Sequence, residues 1–283
     1  MSGSFTAACV QLSSSREVEA NLSAAGDLIR RARASGADLI MTPETTDLLE
    51  PKRRLLWEKL RPESEHQGVA AFRDLAAELG CWLLSGSLLV RLSGEKAANR
   101  SYLFDPSGAI AARYDKIHMF DVEIPDGQVY RESSAYQSGG QAVTADLPWG
   151  RLGLTICYDL RFPQLYRALA QAGALFMTVP SAFTRFTGEA HWHTLLRARA
   201  IETGAYIFAP AQCGRHAEGR ETFGHSLIIS PWGEVLADGG DAPGVVLAKI
   251  DPGQVDRVRA MIPSLTGDRA FAAPEARLHK AAS

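Results

Sequence analysis

The sequence lacks the features that mark several large classes of protein. No run of about 18 uninterrupted apolar residues is present, so no membrane-spanning helix is expected. The first five residues show neither the cationic stretch nor the apolar run of a signal peptide. Thirty lysines and arginines face 32 aspartates and glutamates, which predicts no basic surface for nucleic acid or anionic lipid. No Walker motif or dinucleotide-binding glycine motif occurs, and no cofactor is expected.

Cysteine is also scarce, with four residues that lie far apart: Cys9, Cys81, Cys157 and Cys213. They form no CxxC pair and no framework of a small disulfide-rich domain. We therefore expect reduced thiols, a cytoplasmic location and mostly small buried cysteines. His191 and His193 are two residues apart and would point to different faces of a helix, so these two predict no shared metal site.

The hydrophobic residues, 46% of the 283, alternate between two periodicities. Short apolar runs at 5–12 and 37–41 predict strands, and the amphipathic stretch 16–34 between them predicts a helix. Later segments predict hairpin-like pairs of strands, further strands that include 81–90 and 245–250, and further helices that include 190–202. This mixture predicts an α/β fold, with two mixed sheets packed between helical layers. Without repeats or linkers, residues 1–283 are expected to form one domain, with a core over about 5–262 and a C-terminal tail.

One cysteine follows an apolar strand in the segment from Arg151 to Pro163. Cys157 ends the strand, a polar turn follows, and Pro163 suits the first turn of a helix. Free N–H groups at such a turn can lower a thiol pKa and bind a developing oxyanion. We therefore identify Cys157 as a candidate nucleophile. The competing interpretation is a buried core cysteine at a strand end.

Two further segments place a charged residue just after a strand. Glu44 follows the apolar run that ends at Met41, and a partly buried carboxylate there can act as a general base. Lys116 follows the predicted strand that ends at Tyr114, where an ammonium can stabilise a developing negative charge. Taken singly, each is better interpreted as an ordinary residue, an exposed loop or helix-start glutamate and a surface lysine.

Together these segments resemble the three signature segments of the nitrilase superfamily, in that family's order. They are Pro43-Glu44, Tyr114-Asp115-Lys116-Ile117-His118-Met119-Phe120 and Ile156-Cys157-Tyr158-Asp159-Leu160-Arg161-Phe162-Pro163. The resemblance extends from the first strand to about Ile250. It implies an α-β-β-α sandwich that commonly dimerises, with Cys157 as nucleophile, Glu44 as general base and Lys116 stabilising the intermediate. Glu132 would be the fourth catalytic residue, with Glu123 as the competing candidate.

The second half of the chain is most similar to the Nit branch, and within it to amidases that act on deaminated glutathione. The segments 180–203 and 211–226 carry this likeness. It implies hydrolysis of a small amide with carboxylate groups to 2-oxoglutarate and cysteinylglycine, through a thioester. An ω-amidase acting on 2-oxoglutaramate, or another small aliphatic carbon–nitrogen hydrolase, is the alternative. A non-enzymatic scaffold is disfavoured because all four catalytic positions are filled.

Four residues are candidates to bind such a substrate: Tyr158, Arg161, Thr187 and Arg215. Tyr158 follows the nucleophile, and its backbone N–H is a candidate oxyanion donor. Arg161 could pair with the oxo-acid carboxylate, and Thr187 could donate a hydrogen bond. Arg215, or its neighbour His216, is a candidate partner for the glycine carboxylate. The competing interpretation of Arg161 is a structural ion pair. For Arg215 and His216 it is a position in a solvated loop.

Overall fold

Two β-sheets, packed face to face, form the centre of the protein. The computed structural model describes residues 3–124 and 129–274. The first sheet has seven strands: β1 (Phe5–Gln11), β2 (Leu39–Met41), β3 (Trp82–Leu84), β4 (Leu88–Arg91), β5 (Ala97–Phe104), β6 (Ile110–Asp115) and β17 (Gly244–Ile250). The second has six: β9 (Val143–Leu147), β10 (Gly150–Leu154), β11 (Ala174–Thr178), β12 (Tyr206–Ala209), β15 (Leu227–Ile229) and β16 (Val235–Asp238). Two small hairpins lie outside them: β7 (Asp121–Glu123) with β8 (Val129–Arg131), and β13 (Cys213–Arg215) with β14 (Glu221–Phe223).

Both sheets mix parallel and antiparallel neighbours, as the sequence pattern predicts. The first runs in the order β17-β1-β2-β3-β5-β4, with β6 beside β5, and its β1-β2-β3 segment is parallel. The second runs in the order β16-β15-β12-β11-β10-β9, with parallel pairing from β10 to β12. Strand β17 returns to the first sheet and pairs antiparallel with β1, Ile250 opposite Phe5.

Helices cover the outer faces of the two sheets. They are α1 (Val18–Ala34), α2 (Arg53–Lys59), α3 (Gln67–Leu79), α4 (Pro163–Gln171), α5 (Arg185–Thr203) and α6 (Gly253–Met261). Helices α1 and α3 pack on the first sheet, whereas α4 and α5 pack on the second. This arrangement confirms the α-β-β-α sandwich. Among the described helices, none is long and apolar enough to cross a membrane.

The pleat of β1 divides its side chains between two cores. Phe5, Ala7 and Cys9 face the second sheet and join the cluster that includes Leu152. Ala8 and Val10 face the other way and join the cluster beneath α1 and α3. A strand buried on both faces is apolar at most of its positions, which explains the nearly continuous apolar run that predicted it.

Local residue chemistry sets several element boundaries. His66 caps α3, where its ring nitrogen accepts a hydrogen bond from the Gly68 N–H (3.1 Å). Pro163 occupies the first turn of α4, the position that tolerates its missing N–H. Residues 81–90 were expected to form one strand, but the structure divides them into β3 and β4. Gly86 bends the chain between them with φ +58°, a conformation that glycine adopts without steric cost.

Candidate active site

A cavity of about 450 Å³ opens at the end of the sandwich where several of the strands stop. It is lined by Glu44, Lys116, Glu132 and Cys157, the four residues that the sequence predicts to be catalytic. They come from separate parts of the chain: a loop after β2, the end of β6, a short turn after β8 and the turn after β10. The fold therefore gathers into one pocket residues that lie up to 113 positions apart in the sequence.

Cys157 begins a short 3-10 turn, Cys157–Arg161, and its backbone is in the left-handed region with φ +46°. A non-glycine residue in this conformation is strained, and the surrounding contacts have to hold it. The Cys157 N–H donates to the Pro180 carbonyl oxygen (3.0 Å), and the residue is 7% exposed. The Glu44 carboxylate lies near enough to the thiol to influence its pKa. The candidate nucleophile and the candidate base are therefore neighbours in one buried site.

The direction of the Cys157 pKa differs from what the local turn suggests. A turn before a helix would lower a thiol pKa. In the structure, burial raises the pKa of Cys157 well above its usual value, and the negative charge of Glu44 raises it further. Lys116 acts in the opposite direction but does not outweigh them. Cys157 therefore has to lose a proton to act as a nucleophile.

Glu44 is held by donors on both carboxylate oxygens. Its Oε1 accepts from Lys116 Nζ (2.9 Å) and Asn99 Nδ2 (2.9 Å), and its Oε2 accepts from the Ala182 N–H (2.9 Å). Burial alone would raise the pKa of Glu44, but Lys116, Cys157 and Ala182 together hold it below the usual glutamate value. Glu44 is therefore ionised and ready to accept a proton from the thiol.

Lys116 lies 2% exposed between two glutamates. Its Nζ donates to Glu44 Oε1 (2.9 Å) and to both oxygens of Glu132 (2.9 and 2.8 Å). Burial lowers the pKa of a lysine, but the charges of Glu132 and Glu44 dominate here and raise it. Glu132 is itself fixed by the Phe120 N–H, which donates to Oε2 (2.6 Å). Glu123, the competing candidate, instead forms an ion pair with the exposed Arg131.

Asp159 joins the two longest signature segments. Its Oδ2 accepts from Tyr114 Oη (2.6 Å) and the Ile156 N–H (2.9 Å). Its Oδ1 contacts His118 Nδ1 (2.7 Å) and accepts from the His118 N–H (3.0 Å). Asp159 is fully buried. Asp159 thus connects the turn that carries Cys157 to the segment that carries Lys116. These contacts explain why polar residues flank Cys157 and Lys116 in the two segments.

Three other residues that support the site had not been identified from the sequence. Asn99, on β5, donates to both Glu44 and Glu132. Arg199, on α5, is buried and donates twice to the Leu160 carbonyl oxygen. These two hydrogen bonds stabilise the turn that carries Cys157. Arg220 lines the cavity, as described below. None stands in a signature segment, and only the tertiary structure brings them to the site.

The predicted substrate-binding residues fall into two groups. Tyr158 and Thr187 line the cavity. Arg161 is not among the lining residues; its guanidinium lies 5.4 Å from the ring centroid of Phe183, and it hydrogen-bonds to His191. Arg215, on β13, is exposed and also absent from the lining. The neighbouring His216 is buried and contacts the Ser14 carbonyl oxygen and the Thr222 hydroxyl, so it has a structural role.

The cations that do line the cavity are Arg53, Arg131 and Arg220, besides Lys116. Arg53 and Arg131 form ion pairs with glutamates. Arg220, among the described residues, has no carboxylate partner. It donates to the Ala182 carbonyl oxygen (2.8 Å) and lies 5.5 Å from the Tyr130 ring, while its buried Nε has no hydrogen-bond partner. An unpaired, partly buried guanidinium is suited to an anionic ligand.

Comparison with known proteins agrees with this geometry. The model of the carbon-nitrogen hydrolase family matches residues 6–260. A deaminated glutathione amidase from Synechocystis sp. is 41% identical over 265 residues, which cover 92% of this chain and 97% of the relative. Among solved structures, Saccharomyces cerevisiae Nit3, described as a member of branch 10 of the nitrilase superfamily, gives a TM-score of 0.85 at 29% identity. The match covers 95% of this chain and 97% of Nit3. The Caenorhabditis elegans NitFhit protein gives a TM-score of 0.87 at 35% identity over 95% of this chain, which spans 66% of the NitFhit chain.

Proposed function

The chain belongs to the carbon-nitrogen hydrolase family, and from that premise we propose that it hydrolyses the amide bond of deaminated glutathione. The products are 2-oxoglutarate and cysteinylglycine. The cluster of Glu44, Lys116, Glu132 and Cys157 in one cavity is the observation that carries the chemistry. The choice of substrate is supported by the similarity to deaminated glutathione amidases over nearly the whole chain. We further propose that residues 1–283 act as one catalytic domain, although residues 275–283 lie outside the described part of the chain.

In the first half of the reaction, Cys157 Sγ attacks the amide carbon while its proton passes to Glu44. The two steps are concerted, because the raised thiol pKa leaves little free thiolate at neutral pH. The carbonyl oxygen gains the negative charge. The intermediate then collapses, the carbon–nitrogen bond breaks, and Glu44 returns the proton to the departing amine. A thioester on Cys157 and a free amine result.

In the second half, Glu44 removes a proton from water, whose oxygen attacks the thioester carbon. The carbon–sulfur bond breaks, and the sulfur regains a proton from Glu44. Lys116 stays charged throughout. Its hydrogen bonds to Glu44 and to both oxygens of Glu132 already engage Nζ. Lys116 therefore stabilises the oxyanion through its charge, or by exchanging one of its bonds to Glu132, together with the Tyr158 backbone N–H. Glu132 positions Lys116.

The substrate carries two carboxylates. Among the described residues that line the cavity, Arg220 is the cation without a carboxylate partner. Ala182 links it to the catalytic cluster, because the Ala182 N–H donates to Glu44 and the Ala182 carbonyl oxygen accepts from Arg220. We assign Arg220 to one substrate carboxylate, with the Thr187 hydroxyl as a further donor. Arg161 and Arg215 remain candidates for the other carboxylate, and Arg161 would have to leave His191 to reach it.

The primary experiment measures 2-oxoglutarate release from deaminated glutathione beside release from 2-oxoglutaramate. Faster turnover of deaminated glutathione, abolished in Cys157→Ala, is expected. Preference for 2-oxoglutaramate would instead identify an ω-amidase. Turnover of neither would refute both substrates, while full activity in Cys157→Ala would refute the mechanism.

The same two substrates test the assignment of Arg220. Arg220→Ala removes a charged hydrogen bond and is expected to lower kcat/KM about 10- to 100-fold. A loss on both substrates assigns Arg220 to the oxo-acid carboxylate that they share. A loss on deaminated glutathione alone assigns it to the glycine carboxylate. Arg185→Ala is the matched control, because Arg185 is exposed, pairs with Glu189 and does not line the cavity. An equal loss in Arg185→Ala, or no loss in Arg220→Ala, would overturn the assignment.

We also propose a homodimer and a cytoplasmic location. Large apolar side chains on and beside α5 are exposed, namely Phe186, Ile201 and Trp232, and such a surface favours association. The four cysteines are free and buried, which suits a reducing compartment. Light scattering during size-exclusion chromatography tests the dimer. A monomer at micromolar concentration would contradict it, and Ile201→Glu is expected to weaken it.

A further inference from the structure

Two histidines and an aspartate converge on one surface position outside the cavity. His193 lies on α5, His225 lies in the loop between β14 and β15, and Asp238 ends β16. One ligand atom from each lies within 4.8 Å of the other two. None of the three lines the cavity around Cys157. The chemistry of this cluster is therefore separate from the proposed hydrolysis.

Both imidazoles already point at the same carboxylate. His193 Nε2 lies 3.2 Å from Asp238 Oδ2, and His225 Nδ1 lies 2.9 Å from Asp238 Oδ1. The Phe223 ring stacks on His225 with centroids 4.5 Å apart and meets His193 edge-on at 6.0 Å. The aromatic contacts thus fix the orientation of both rings toward Asp238.

The backbone at His225 is strained. Its φ is +52°, a left-handed conformation that side chains other than glycine and asparagine rarely adopt. It is held there from both sides, because the His225 N–H donates to the Gly240 carbonyl oxygen (2.6 Å) and its own carbonyl oxygen accepts from Trp192 Nε1 (2.8 Å). Strain of this kind is typical of sites where a side chain is aimed at a ligand.

We propose that His193, His225 and Asp238 form a binding site for a divalent transition-metal ion, for which Zn²⁺ is the best match. Two imidazole nitrogens and one carboxylate oxygen suit zinc and its neighbours, whereas Mg²⁺ and Ca²⁺ prefer oxygen ligands alone. Three protein ligands leave a fourth position for water. The ligands are partly exposed, with 38%, 28% and 36% of their side-chain surfaces accessible, so the ion can enter and leave.

The geometry requires only a small closure. Tetrahedral zinc with bonds of about 2.0–2.1 Å separates its ligand atoms by about 3.4 Å. The widest pair must therefore approach by at most roughly 1.4 Å, which side-chain rotations of half-exposed residues supply. Among the described residues, the ion pairs of Asp238 are with the two histidines, and no lysine or arginine competes for its charge.

The carboxylate itself is held in place by the backbone. The Gly240 N–H donates to Asp238 Oδ1 (2.9 Å), which fixes the carboxylate between the two imidazoles. A bound ion would connect α5 to β15 and β16, and so would tie the helix that supplies Thr187 to the second sheet.

The test is a titration with Co²⁺, followed by competition with Zn²⁺. The full-length Cys157→Ser protein, free of any affinity tag, is the host, so that the catalytic sulfur cannot bind the metal. One equivalent of Co²⁺ should give the visible absorption of tetrahedral coordination, and Zn²⁺ should displace it. Because loss of an outer-sphere partner already costs about 10- to 100-fold in affinity, loss of a ligand should weaken Zn²⁺ binding at least about 100-fold.

Three variants remove one ligand each: His193→Ala, His225→Asn and Asp238→Asn. Asparagine at position 225 tolerates the left-handed backbone, so the loop is preserved. His191→Ala, two residues away on the same helix, is the matched control and should bind as the host does. Saturating Zn²⁺ should also raise the Tm of the host by about 5 °C at 100 times Kd, and leave the three variants unchanged. Absence of one-to-one binding, or equal affinity in the three variants and the host, would overturn the proposal.

Discussion

Asp159 offers the sharpest test of how the active site is held together. It is a fully buried carboxylate that accepts from Tyr114 and from the backbone N–H groups of Ile156 and His118, and contacts the His118 ring. Asp159→Asn preserves its size but replaces one acceptor oxygen with an NH₂ group. In either orientation the amide nitrogen faces a backbone N–H, because each carboxylate oxygen serves one. The tyrosine hydroxyl and the imidazole can reverse their roles, but a backbone N–H cannot.

The size of the expected destabilisation follows from the number of backbone N–H groups that lose their acceptor. One buried N–H left without an acceptor costs about 1–3 kcal/mol, so we expect Asp159→Asn to lower the free energy of unfolding by about 2 kcal/mol. We expect kcat to fall as well, because the turn that bears Cys157 loses its fixed position relative to Lys116. The assay is urea denaturation followed by fluorescence, beside steady-state turnover.

Asp146→Asn is the matched control. Asp146 forms an exposed ion pair with Arg151 that water screens, so Asp146→Asn should leave the free energy of unfolding nearly unchanged. If Asp159→Asn unfolds within about 0.5 kcal/mol of the wild type and keeps its kcat, then the contacts of Asp159 do not hold the two signature segments together, and the reasoning fails.

Three further predictions concern the site. Glu44→Gln removes a charge that raises the pKa of Cys157, so iodoacetamide should alkylate the thiol at lower pH than in the wild type. Turnover should be lost. An unchanged pH profile of alkylation would contradict the influence of Glu44 on the thiol. Because the pKa of Glu44 is depressed, the acid limb of kcat/KM should lie below the usual glutamate value of 4.5, and a limb above it would exclude Glu44 as the base. Gly86→Ala places a Cβ 2.0 Å from the Thr42 carbonyl oxygen. It should destabilise the protein by more than Gly80→Ala, because Gly80 shares φ +58° but has open space around it, so that substitution should cost only about 1–2 kcal/mol. Equal free energies of unfolding in the two variants would refute the steric argument.

Sequence periodicity predicted the positions of the longer helices and strands well where their apolar residues followed one regular pattern. Strand β1, helix α1 and strand β17 all lie close to their predicted positions. Helix α5 begins at Arg185, five residues before its predicted start at Ala190. Gly188 obscured this start, since glycine disfavours helix in general, but here it makes room for Phe223. Helix α2 has only seven residues and was not predicted, because such short segments carry little periodic signal.

The convergence of Glu44, Lys116, Glu132 and Cys157 on one cavity was predictable because each follows a strand in a recognisable segment. Their electrostatics were not predictable in the same way. The thiol pKa of Cys157 depends on burial and on Glu44, which is 113 residues away in sequence, so local turn geometry suggested the wrong direction. Arg220 escaped notice for a similar reason. The sequence directed attention to Arg215 on the same hairpin, and only the fold shows which arginine enters the cavity.

The pairing of β17 with β1 has a consequence for how the chain folds. Phe5 and Ile250 are neighbours in the first sheet although nearly the whole chain lies between them. During synthesis, β1 therefore lacks one of its two partners until the ribosome has made residues 244–250. Contacts of such long sequence separation form slowly, because a large loop must close before they contribute. Until then the open edge of β1 is an apolar strand available to other chains, so the nascent protein is expected to depend on chaperones more than its final compactness suggests.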